Sequence, residues 1–331
     1  MDSTDEHYRY VPAAVNAIEE FPLAANNIEL VAHSENVTFR VTSPDSNTDY
    51  VLRLHRPGYN SIEELNSERE WTQALNDAGI AAPESVLTRR GDYFALIDIP
   101  ASDEQRYAGI TRWIEGTPLC DYLETASGRE KRLSIFTRIG ELTAATHNQA
   151  AAWMQPRGFT RPLLDAEGLL GEAPRWGRFW EHADLTDTER NLLLQTRDRL
   201  SARLGAYGMA PEIFSLIHAD INTDNIVHND AGLALIDFDD AAYGWHMYDI
   251  AAALVNECWA ADLEAVCAAT LEGYRKYRAL EDRDIDMLRA FLLIRGMVTI
   301  GWFHQRPEYA GSDFFEEMKN WVLDECSARS W

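Results

Sequence analysis

Positive charge is scarce in this sequence. Its 331 residues include 30 Lys and Arg against 54 Asp and Glu, which gives a formal net charge of −24 at pH 7. Such an excess of negative charge argues against nucleic acid and anionic membrane surfaces as partners. It is compatible with attraction of a cationic substrate, and equally with a surface adapted only for solubility or salt.

Cysteine and long apolar runs are also scarce. The four cysteines show no metal-ligand spacing, and the N-terminus, MDSTDEHYRY, lacks the pattern of a signal peptide. The longest apolar run, Ala290 to Phe303, is interrupted by Arg295 and is too short to span a bilayer. The sequence therefore predicts a cytoplasmic protein with free thiols and a core helix in this run.

The segment from Leu216 to Asp240, LIHADINTDNIVHNDAGLALIDFDD, contains the residues that predict a reaction. Phosphoryl transfer from ATP depends mainly on orientation of the acceptor hydroxyl and on neutralisation of phosphate charge by Mg²⁺. Asp220 is the candidate for the group that accepts or orients the hydroxyl proton. Asn225 and Asp237 offer the oxygen ligands that Mg²⁺ prefers. The segment predicts a phosphotransferase that uses ATP and Mg²⁺.

Two β-prone runs, residues 214–217 and 233–236, are separated by a turn signal of Asn, Asp and Gly within residues 229–232. The pattern predicts that these two strands pair as a hairpin. Such a hairpin would bring the three polar side chains to one end.

Each of these motifs alone has an ordinary structural explanation. A His-x-Asp is usually a surface turn, and an Asp-Phe-Asp-Asp can be a solvated loop or part of a calcium site. Their occurrence together, in this order, favours the functional interpretation. His218 is assigned only a supporting role, because a loop histidine is more often structural than a proton carrier.

Together with Tyr248-Asp249, these motifs resemble the aminoglycoside phosphotransferase and choline kinase family, which is related to the protein kinases. The HADxxxxN and DFDD segments, the length and the aromatic tail are most similar to the branch of stress-response kinase A and type II homoserine kinase. The resemblance implies that Asp220 is the catalytic base and that Asn225 and Asp237 bind the metal. It also implies that Asp249 braces the catalytic loop from a buried position, although a helix N-cap is equally compatible with its place in the sequence.

The order of predicted elements is typical of an α+β, protein-kinase-like fold with two lobes. An N-terminal lobe of residues 1–114, including an extension of residues 1–30, contains an antiparallel sheet and one inserted helix. A larger, mainly helical lobe of residues 115–331 contains the catalytic loop and the acceptor site. Strands are predicted at 28–32, 37–42, 50–55, 93–99 and 108–114, and helices at 12–20, 61–78, 119–125, 129–153, 189–204 and from 249 onward.

Arg53, on the third predicted strand, is the candidate for binding the ATP phosphates. Protein kinases have Lys in that position, but a guanidinium can bind a phosphate bidentately. Glu68 of the following helix is its predicted partner, with Glu70 as the less favoured choice. The alternative is a surface strand arginine paired with any nearby acid.

Other nucleotide contacts are predicted on two loops. Ser34 and Asn36 could donate hydrogen bonds to phosphate, although their loop has no glycine and an ordinary turn is at least as compatible. Trp113 and Glu115 lie in the predicted connection between the lobes, where the adenine edge would bind.

Acceptor specificity is predicted to lie in the helical lobe. Asp239, next to Asp237, could contact Mg²⁺ or the acceptor. Aromatic side chains near carboxylates could hold an ammonium group, although aromatics at helical spacing mostly belong to the core. The further acceptor candidates are Asp240, Tyr243, Trp245, His246, Glu257 and Trp302.

The sequence thus predicts direct transfer of the ATP γ-phosphate to a hydroxyl of a small molecule, such as an amino alcohol, an aminoglycoside or homoserine. Two alternatives stay open: a protein Ser/Thr kinase of the stress-response type, and a nucleotide-binding module without turnover. Asp249 follows Asp237 within twelve residues, which leaves little room for a protein-substrate platform. The loop without glycine and Arg53 favour the inert module, whereas the intact catalytic loop argues against it.

Overall fold

The computed structural model describes residues 3–33, 36–44, 48–125, 128–309, 311–329 and 331. The chain divides into two compact units. The first comprises residues 1–116, 154–161 and 229–239, and the second comprises residues 117–153, 162–228 and 240–331. Two late segments of the chain therefore belong to the same unit as the N-terminal sheet, and one of them contains Asp237.

The first unit is built on an antiparallel sheet. The elements are α1 (Ser3–Glu19), β1 (Asn27–His33), β2 (Val37–Ser43), β3 (Thr48–Leu54), α2 (Ile62–Asp77), β4 (Ser85–Val86), β5 (Phe94–Asp98) and β6 (Gln105–Arg112). The strands follow the order β1-β2-β3-β6-β4 in the sheet, and β5 also pairs with β6.

Alternation of apolar and polar residues places one face of this sheet in the core. Val37, Phe39 and Val41 of β2 are fully buried, and the residues between them are half-buried. Helix α1 packs on this core through small residues such as Ala13 and Ala17. The segment predicted as an N-terminal extension is therefore part of the core of the first unit.

Helix α2 begins as its sequence predicts. Ser61 accepts a hydrogen bond from the Glu64 N–H, and the Glu64 carboxylate accepts one from the Ser61 N–H, which forms a capping box. Three buried residues, Leu65, Trp71 and Leu75, then face the core. This packing fixes α2, and with it Glu68, against the sheet.

The second unit is mainly helical. The remaining elements of the chain are β7 (Thr117–Pro118), α3 (Leu119–Thr125), α4 (Arg129–Ala152), α5 (Ala166–Leu170), α6 (Asp187–Tyr207), β8 (Phe214–Ile217), β9 (Ile226–Asn229), β10 (Gly232–Leu235), β11 (Ala242–Trp245), α7 (His246–Leu254), α8 (Leu263–Arg275), α9 (Asp282–His304) and α10 (Asp313–Ala328). Of these, β10 belongs to the first unit.

The predicted hairpin of residues 214–217 with residues 233–236 is wrong. Strand β8 pairs instead with β11 in antiparallel register, with Ile217 opposite Ala242 and Phe214 opposite Trp245. The turn signal was real, because Asn229 Oδ1 accepts hydrogen bonds from the N–H groups of Ala231 and Gly232. Local pattern identified the strands and the turn, but it could not identify the partner of β8.

Helices α4 and α8 approach each other closely at two glycines. A Cβ on Gly140 would lie 2.0 Å from the Thr270 carbonyl oxygen, and one on Gly273 would lie 1.8 Å from that of Thr137. Any larger residue would push the helices apart. This contact holds α4 and α8 at the distance on which the buried polar network described below depends.

Among the described residues, no helix has the length and apolar character needed to cross a membrane. The cysteines are unpaired, as predicted, and Cys258, Cys267 and Cys326 are buried. Burial raises the pKa of the Cys267 thiol to about 11, so this thiol is unreactive at neutral pH.

Candidate active site

The predicted catalytic loop joins β8 to β9 in the second unit. Asn225 Nδ2 donates hydrogen bonds to the Asp220 carbonyl oxygen at 2.9 Å and to Asp220 Oδ2 at 2.7 Å. Asn222 Nδ2 donates to Asp220 Oδ1 at 3.1 Å. The Asp220 carboxylate is therefore held in one orientation, as a group that orients a hydroxyl must be.

The same hydrogen bonds orient the amide of Asn225. Both are donated by Nδ2, so the amide oxygen faces away from Asp220. An amide oxygen is a suitable ligand for a hard divalent cation. Asn225 therefore fits the metal-binding role that the sequence suggests.

Asp249 braces this loop from behind. Its carboxylate is fully buried and accepts hydrogen bonds from the N–H groups of His218 at 3.0 Å and Ala219 at 2.6 Å. Ala219 has φ 68°, a left-handed conformation that residues with a Cβ rarely adopt. Asp249 lies within α7, whose N-cap is Trp245, so its position is that of a brace for the turn before Asp220.

Helix α4 supplies a further partner of Asp249. His147 Nε2 lies 3.0 Å from Asp249 Oδ2, and His147 Nδ1 lies 2.8 Å from the Tyr274 hydroxyl. Burial raises the pKa of Asp249 to about 6 and lowers the pKa of His147 well below its usual value. The His147 ring is therefore neutral at pH 7, and the network is a buried support.

His218 also has a supporting place. Its side chain is fully buried, and its Nδ1 accepts a hydrogen bond from the Asp220 N–H at 3.3 Å. The His218 ring thus contacts the backbone of Asp220, two residues later in the motif. This geometry is that of a loop-stabilising histidine.

Arg295 contacts Asp220 and was missed from the sequence. Its Nη2 donates a short hydrogen bond to Asp220 Oδ1, and its Nη1 donates one to the Tyr248 hydroxyl at 3.3 Å. The signal was present in the sequence, because Arg295 is the charged residue that interrupts the apolar run of α9. Only the fold shows that this charge has a carboxylate partner.

A cavity of about 510 Å³ lies beside Asp220 within the second unit. Its volume is in the range of sites that bind small organic molecules. Polar and charged residues form part of its wall: Asp220, Asp224, Asp240, Asn256 and Arg295. Aromatic residues form another part: Trp176, Trp302, Phe303 and Phe314.

Two of the predicted acceptor residues, Asp240 and Trp302, line this cavity, but four others do not: Tyr243, Trp245, His246 and Glu257. Trp245 is buried and donates from Nε1 to the Gly208 carbonyl at 2.6 Å. Glu257 forms an ion pair with Arg132. The side chains of Trp245 and Glu257 therefore have structural partners away from the cavity wall.

His246 leads to a prediction about pH. Its Nε2 lies 2.8 Å from Ser215 Oγ, and burial, together with the nearby His147 and Arg278, lowers its pKa far below 6.5. The unfolded chain binds this proton below pH 6.5 and the folded chain does not, so stability is lost as pH falls. Urea titrations at pH 7.5 and at pH 5.5 measure the free energy of unfolding of each protein. We expect the decrease in this free energy between the two pH values to be about 1 kcal/mol smaller in His246→Gln than in the wild type. An identical loss in both proteins would contradict this assignment.

In the first unit, Asp237 lies two residues after the end of β10. Arg53 Nη1 donates to its Oδ1 at 2.8 Å, and the carboxylate is 39% exposed. Its φ of 61° is again left-handed, which Asp tolerates better than most residues and which is common at functional sites. One carboxylate oxygen is thus left for a cation, so Asp237 fits the predicted metal role.

Asp239 is held by side chains of the first unit. It accepts a short hydrogen bond from Asn36, and its Oδ1 lies 3.5 Å from His55 Nδ1 and 3.8 Å from Arg53 Nη1. Although burial opposes ionisation, His55, Arg53 and Asn36 together lower the pKa of this carboxyl. The carboxylate thus links residues that flank β2 and β3 to Arg53. Its contact with Mg²⁺ or the acceptor stays a prediction.

Glu68 is buried near Arg53 without being its nearest acid. Its Oε1 lies 3.6 Å from Arg69 Nη1, whereas Arg53 bonds to Asp237. Burial works against the charge of Arg53, but Asp237, Asp239 and Glu68 outweigh it and raise the pKa of the guanidinium. Arg53 is therefore a permanent positive charge held by acids.

A second cavity, of about 180 Å³, lies within the first unit and contains these groups. Its charged end is formed by Arg53, Glu68, Arg69 and Asp237. Its apolar part includes Val31, Val51, Trp113 and Ile236. A charged end next to an apolar slot is the arrangement that a nucleotide needs for its phosphates and its base.

Of the loop residues predicted for nucleotide binding, Trp113 lines this cavity, and Glu115 and Asn36 have hydrogen-bond partners in the first unit. Trp113 lines the cavity and stacks under Arg40 at 4.6 Å from the ring centre, while the Glu115 carbonyl accepts a hydrogen bond from Asn229. Asn36 Oδ1 accepts from the Arg56 N–H at 2.9 Å, in addition to its contact with Asp239. Ser34 lies outside the described residues.

Arg161 is a further residue that the sequence did not reveal. It is buried, and its Nη2 donates to the carbonyl oxygens of Phe238 at 3.2 Å and Asp239 at 2.6 Å, while Nη1 donates to that of Glu64. One guanidinium thus ties the Asp-Phe-Asp segment to α2. It lies in a loop 77 to 97 residues from these partners, and no motif marks it.

The model of the phosphotransferase enzyme family matches residues 27–280. The chain belongs to this family. The predicted family is therefore confirmed, and so is an enzyme that transfers a phosphoryl group to a hydroxyl of a small molecule.

Individual relatives agree with this assignment. A homoserine kinase of Pseudomonas aeruginosa (strain UCBPP-PA14) is 28% identical over 256 residues, covering 75% of this chain and 72% of its own length. The structure of a microcompartment-associated aminopropanol kinase aligns with a TM-score of 0.82 at 28% identity, covering 96% of this chain and 95% of its own. An amicoumacin kinase in complex with AMP-PNP, Ca²⁺ and its ligand aligns with a TM-score of 0.78 at 20% identity, covering 98% and 96%. The predicted α+β, kinase-like fold is confirmed.

Proposed function

We propose that this phosphotransferase moves the γ-phosphate of ATP, with Mg²⁺, to a hydroxyl of a small cationic molecule. The single observation that carries this proposal is the Asp220 carboxylate, fixed by Asn225 and Asn222 at the wall of a 510 Å³ cavity. A base at a cavity of this size suits a small organic acceptor better than a protein side chain, which would arrive with a folded surface around it.

Asp220 would accept the hydroxyl proton as the oxygen attacks the γ-phosphorus, and the bond to the β-phosphate oxygen would break in line. The protein has little covalent chemistry to perform in this reaction. Orientation of the acceptor hydroxyl and stabilisation of the phosphate charge therefore supply most of the rate enhancement. Arg53 would hold phosphate oxygens, since its planar guanidinium can donate two parallel hydrogen bonds.

Each predicted metal ligand offers an oxygen suited to Mg²⁺: the amide oxygen of Asn225 in the second unit and the carboxylate of Asp237 in the first. Mg²⁺ keeps several waters and needs few protein ligands, so an amide and a carboxylate suffice. Bound there, it would neutralise the charge of the ATP phosphates. Ca²⁺ with AMP-PNP in the amicoumacin kinase supports a nucleotide and a divalent cation in this fold.

The cavity supports a cationic acceptor with an apolar part. Asp224 and Asp240 contribute negative charge, while Trp302 and Phe314 offer ring faces to which an ammonium group is attracted. The aminopropanol kinase and the homoserine kinase are named for acceptors that carry an amine and a hydroxyl. An acceptor with both groups would place the amine among these acids and its hydroxyl at Asp220.

The proposal is tested by an ADP-release screen with ATP and Mg²⁺. The panel contains aminopropanol, homoserine, choline, aminoglycosides, uncharged sugars of similar size and a generic protein substrate. We expect turnover with at least one amine-bearing alcohol, above that with the uncharged sugars and the protein. Nucleotide binding by thermal shift without ADP release on any acceptor would overturn the proposal in favour of a binding module.

Arg53 provides a prediction for the nucleotide side. Arg53→Gln removes two charge-assisted hydrogen bonds to phosphate, so the Kd for MgATP should rise about tenfold to a hundredfold. Titration calorimetry measures this change, with the exposed Arg90→Gln as the control for loss of one positive charge. Unchanged affinity in Arg53→Gln would show that Arg53 serves only as the partner of Asp237.

A further inference from the structure

Arg295 lies in the middle of α9 among apolar residues. Its neighbours Leu293, Ile294 and Met297 are fully buried, and its own side chain is 12% exposed. A charge in such surroundings destabilises the fold unless it is paired, and an apolar residue would pack in this helix without that cost. Packing alone therefore does not explain an arginine at position 295.

The guanidinium of Arg295 has two partners. Nη2 bonds to Asp220 Oδ1 and Nη1 to the Tyr248 hydroxyl. Burial works against the charge of Arg295, but Tyr248 and Asp220 outweigh it and raise its pKa, and burial raises the pKa of Tyr248 to about 12. Arg295 is therefore always charged, and Tyr248 keeps its hydroxyl proton.

The partners of Asp220 differ in where they come from. Asn222 and Asn225 belong to the same loop as Asp220, so they fix its carboxylate only relative to that loop. Arg295 comes from α9, which also supplies Val298, Thr299 and Trp302 to the wall of the 510 Å³ cavity. Among these contacts, Arg295 is the one that fixes the carboxylate relative to the wall on which an acceptor would rest.

We propose that Arg295 is a positioning residue that sets the orientation of the Asp220 carboxylate relative to the acceptor held against α9. The inference rests on the proposed function, because it assigns Asp220 as the base. Arg295 would act on the alignment of the acceptor hydroxyl with the Asp220 carboxylate. The rate of a transfer reaction is steeply sensitive to this alignment.

The test uses steady-state ADP release with whichever of aminopropanol, homoserine or choline gives the highest wild-type rate. Arg295→Gln should lower kcat about a hundredfold while leaving the KM for ATP unchanged. Arg295→Lys keeps the charge but not the planar guanidinium, and its kcat should be about tenfold higher than that of Arg295→Gln. Guanidinium ion, at concentrations far below those that denature the protein, should raise the rate of Arg295→Ala in a saturable manner.

Arg289 is the matched control on the same helix. It pairs with Glu264 and Glu325, away from the cavity, so Arg289→Ala should keep the wild-type kcat and show no response to guanidinium. The melting temperature of each variant shows whether a fall in rate reflects loss of folded protein. If Arg295→Gln folds poorly, Arg295→Lys and the guanidinium response still test the proposal.

A double variant separates positioning from general support. On an Asp220→Asn background, Arg295→Gln should cause no further loss of rate, because the two residues act as one unit. The same fold loss on both backgrounds, or wild-type kcat in Arg295→Gln, would overturn the proposal. Absence of wild-type turnover on every acceptor would instead overturn the proposed function, so the two failures are distinguishable.

Discussion

Replacing Asp220 by Asn should reduce kcat for phosphoryl transfer by about a thousandfold, within the range for loss of a general base. The amide keeps the size of the side chain but cannot accept the hydroxyl proton. The Kd for MgATP should remain nearly unchanged, because Asp220 does not line the cavity that contains Arg53 and Asp237. Rates of ADP release and calorimetric titration with MgATP measure the two quantities.

The control is Asp230→Asn, which removes one negative charge from an exposed turn. It should keep the wild-type rate and affinity. Circular dichroism must show folded protein for Asp220→Asn, since that change leaves the Arg295 guanidinium with a neutral partner. Turnover at the wild-type rate in Asp220→Asn would remove Asp220 from the chemistry.

Replacing Asp249 by Ala should produce the largest loss of stability. The N–H groups of His218 and Ala219, and the His147 ring, would lose their buried acceptor. Each unsatisfied buried donor costs about 1 to 3 kcal/mol, so we expect a loss of at least about 3 kcal/mol in the free energy of unfolding. Urea denaturation followed by circular dichroism measures the loss.

Asp249→Asn is the informative second variant, because an amide oxygen can still accept one of these hydrogen bonds. Its loss should be smaller than that of Asp249→Ala. The exposed Asp198→Ala is the control for charge removal on a helix. If Asp249→Ala unfolds at the same urea concentration as the wild type, Asp249 does not brace the catalytic loop.

Local patterns predicted most of the first unit. Val37, Phe39 and Val41 alternate with polar residues, and Leu65, Trp71 and Leu75 form an apolar stripe, so hydrophobic periodicity was sufficient to place β2 and α2. The order of motifs around Asp220 also identified the reaction class, because those residue types at that spacing are rarely combined for another purpose.

Pairing over distance was not available from local patterns. Strand β8 pairs with β11, which lies beyond the DFDD segment, and nothing in its four residues identifies that partner. The same reason hid Arg295, whose partner Asp220 is 75 residues away. A charged residue within an apolar helix was the visible signal, and it indicates that a partner exists without saying which.

Asp239 shows a different limit. Asp239 lies two residues after Asp237 and was expected near the metal or the acceptor, because in an extended segment residues i and i+2 point to the same side. Its carboxylate is turned to His55 and Asn36, while that of Asp237 bonds to Arg53. The side on which each carboxylate lies depends on the left-handed backbone at Asp237, which the sequence does not specify.

The most direct test of the account is mass spectrometry and phosphorus NMR of an amine-bearing alcohol after incubation with the enzyme, ATP and Mg²⁺. We predict a phosphate monoester on the hydroxyl, one ADP for each ester, and formation of both about a thousandfold slower with Asp220→Asn at matched enzyme concentration. ADP without any phosphorylated alcohol, or equal ester formation by Asp220→Asn, would contradict the assignment of Asp220 as the base for transfer to a small-molecule hydroxyl.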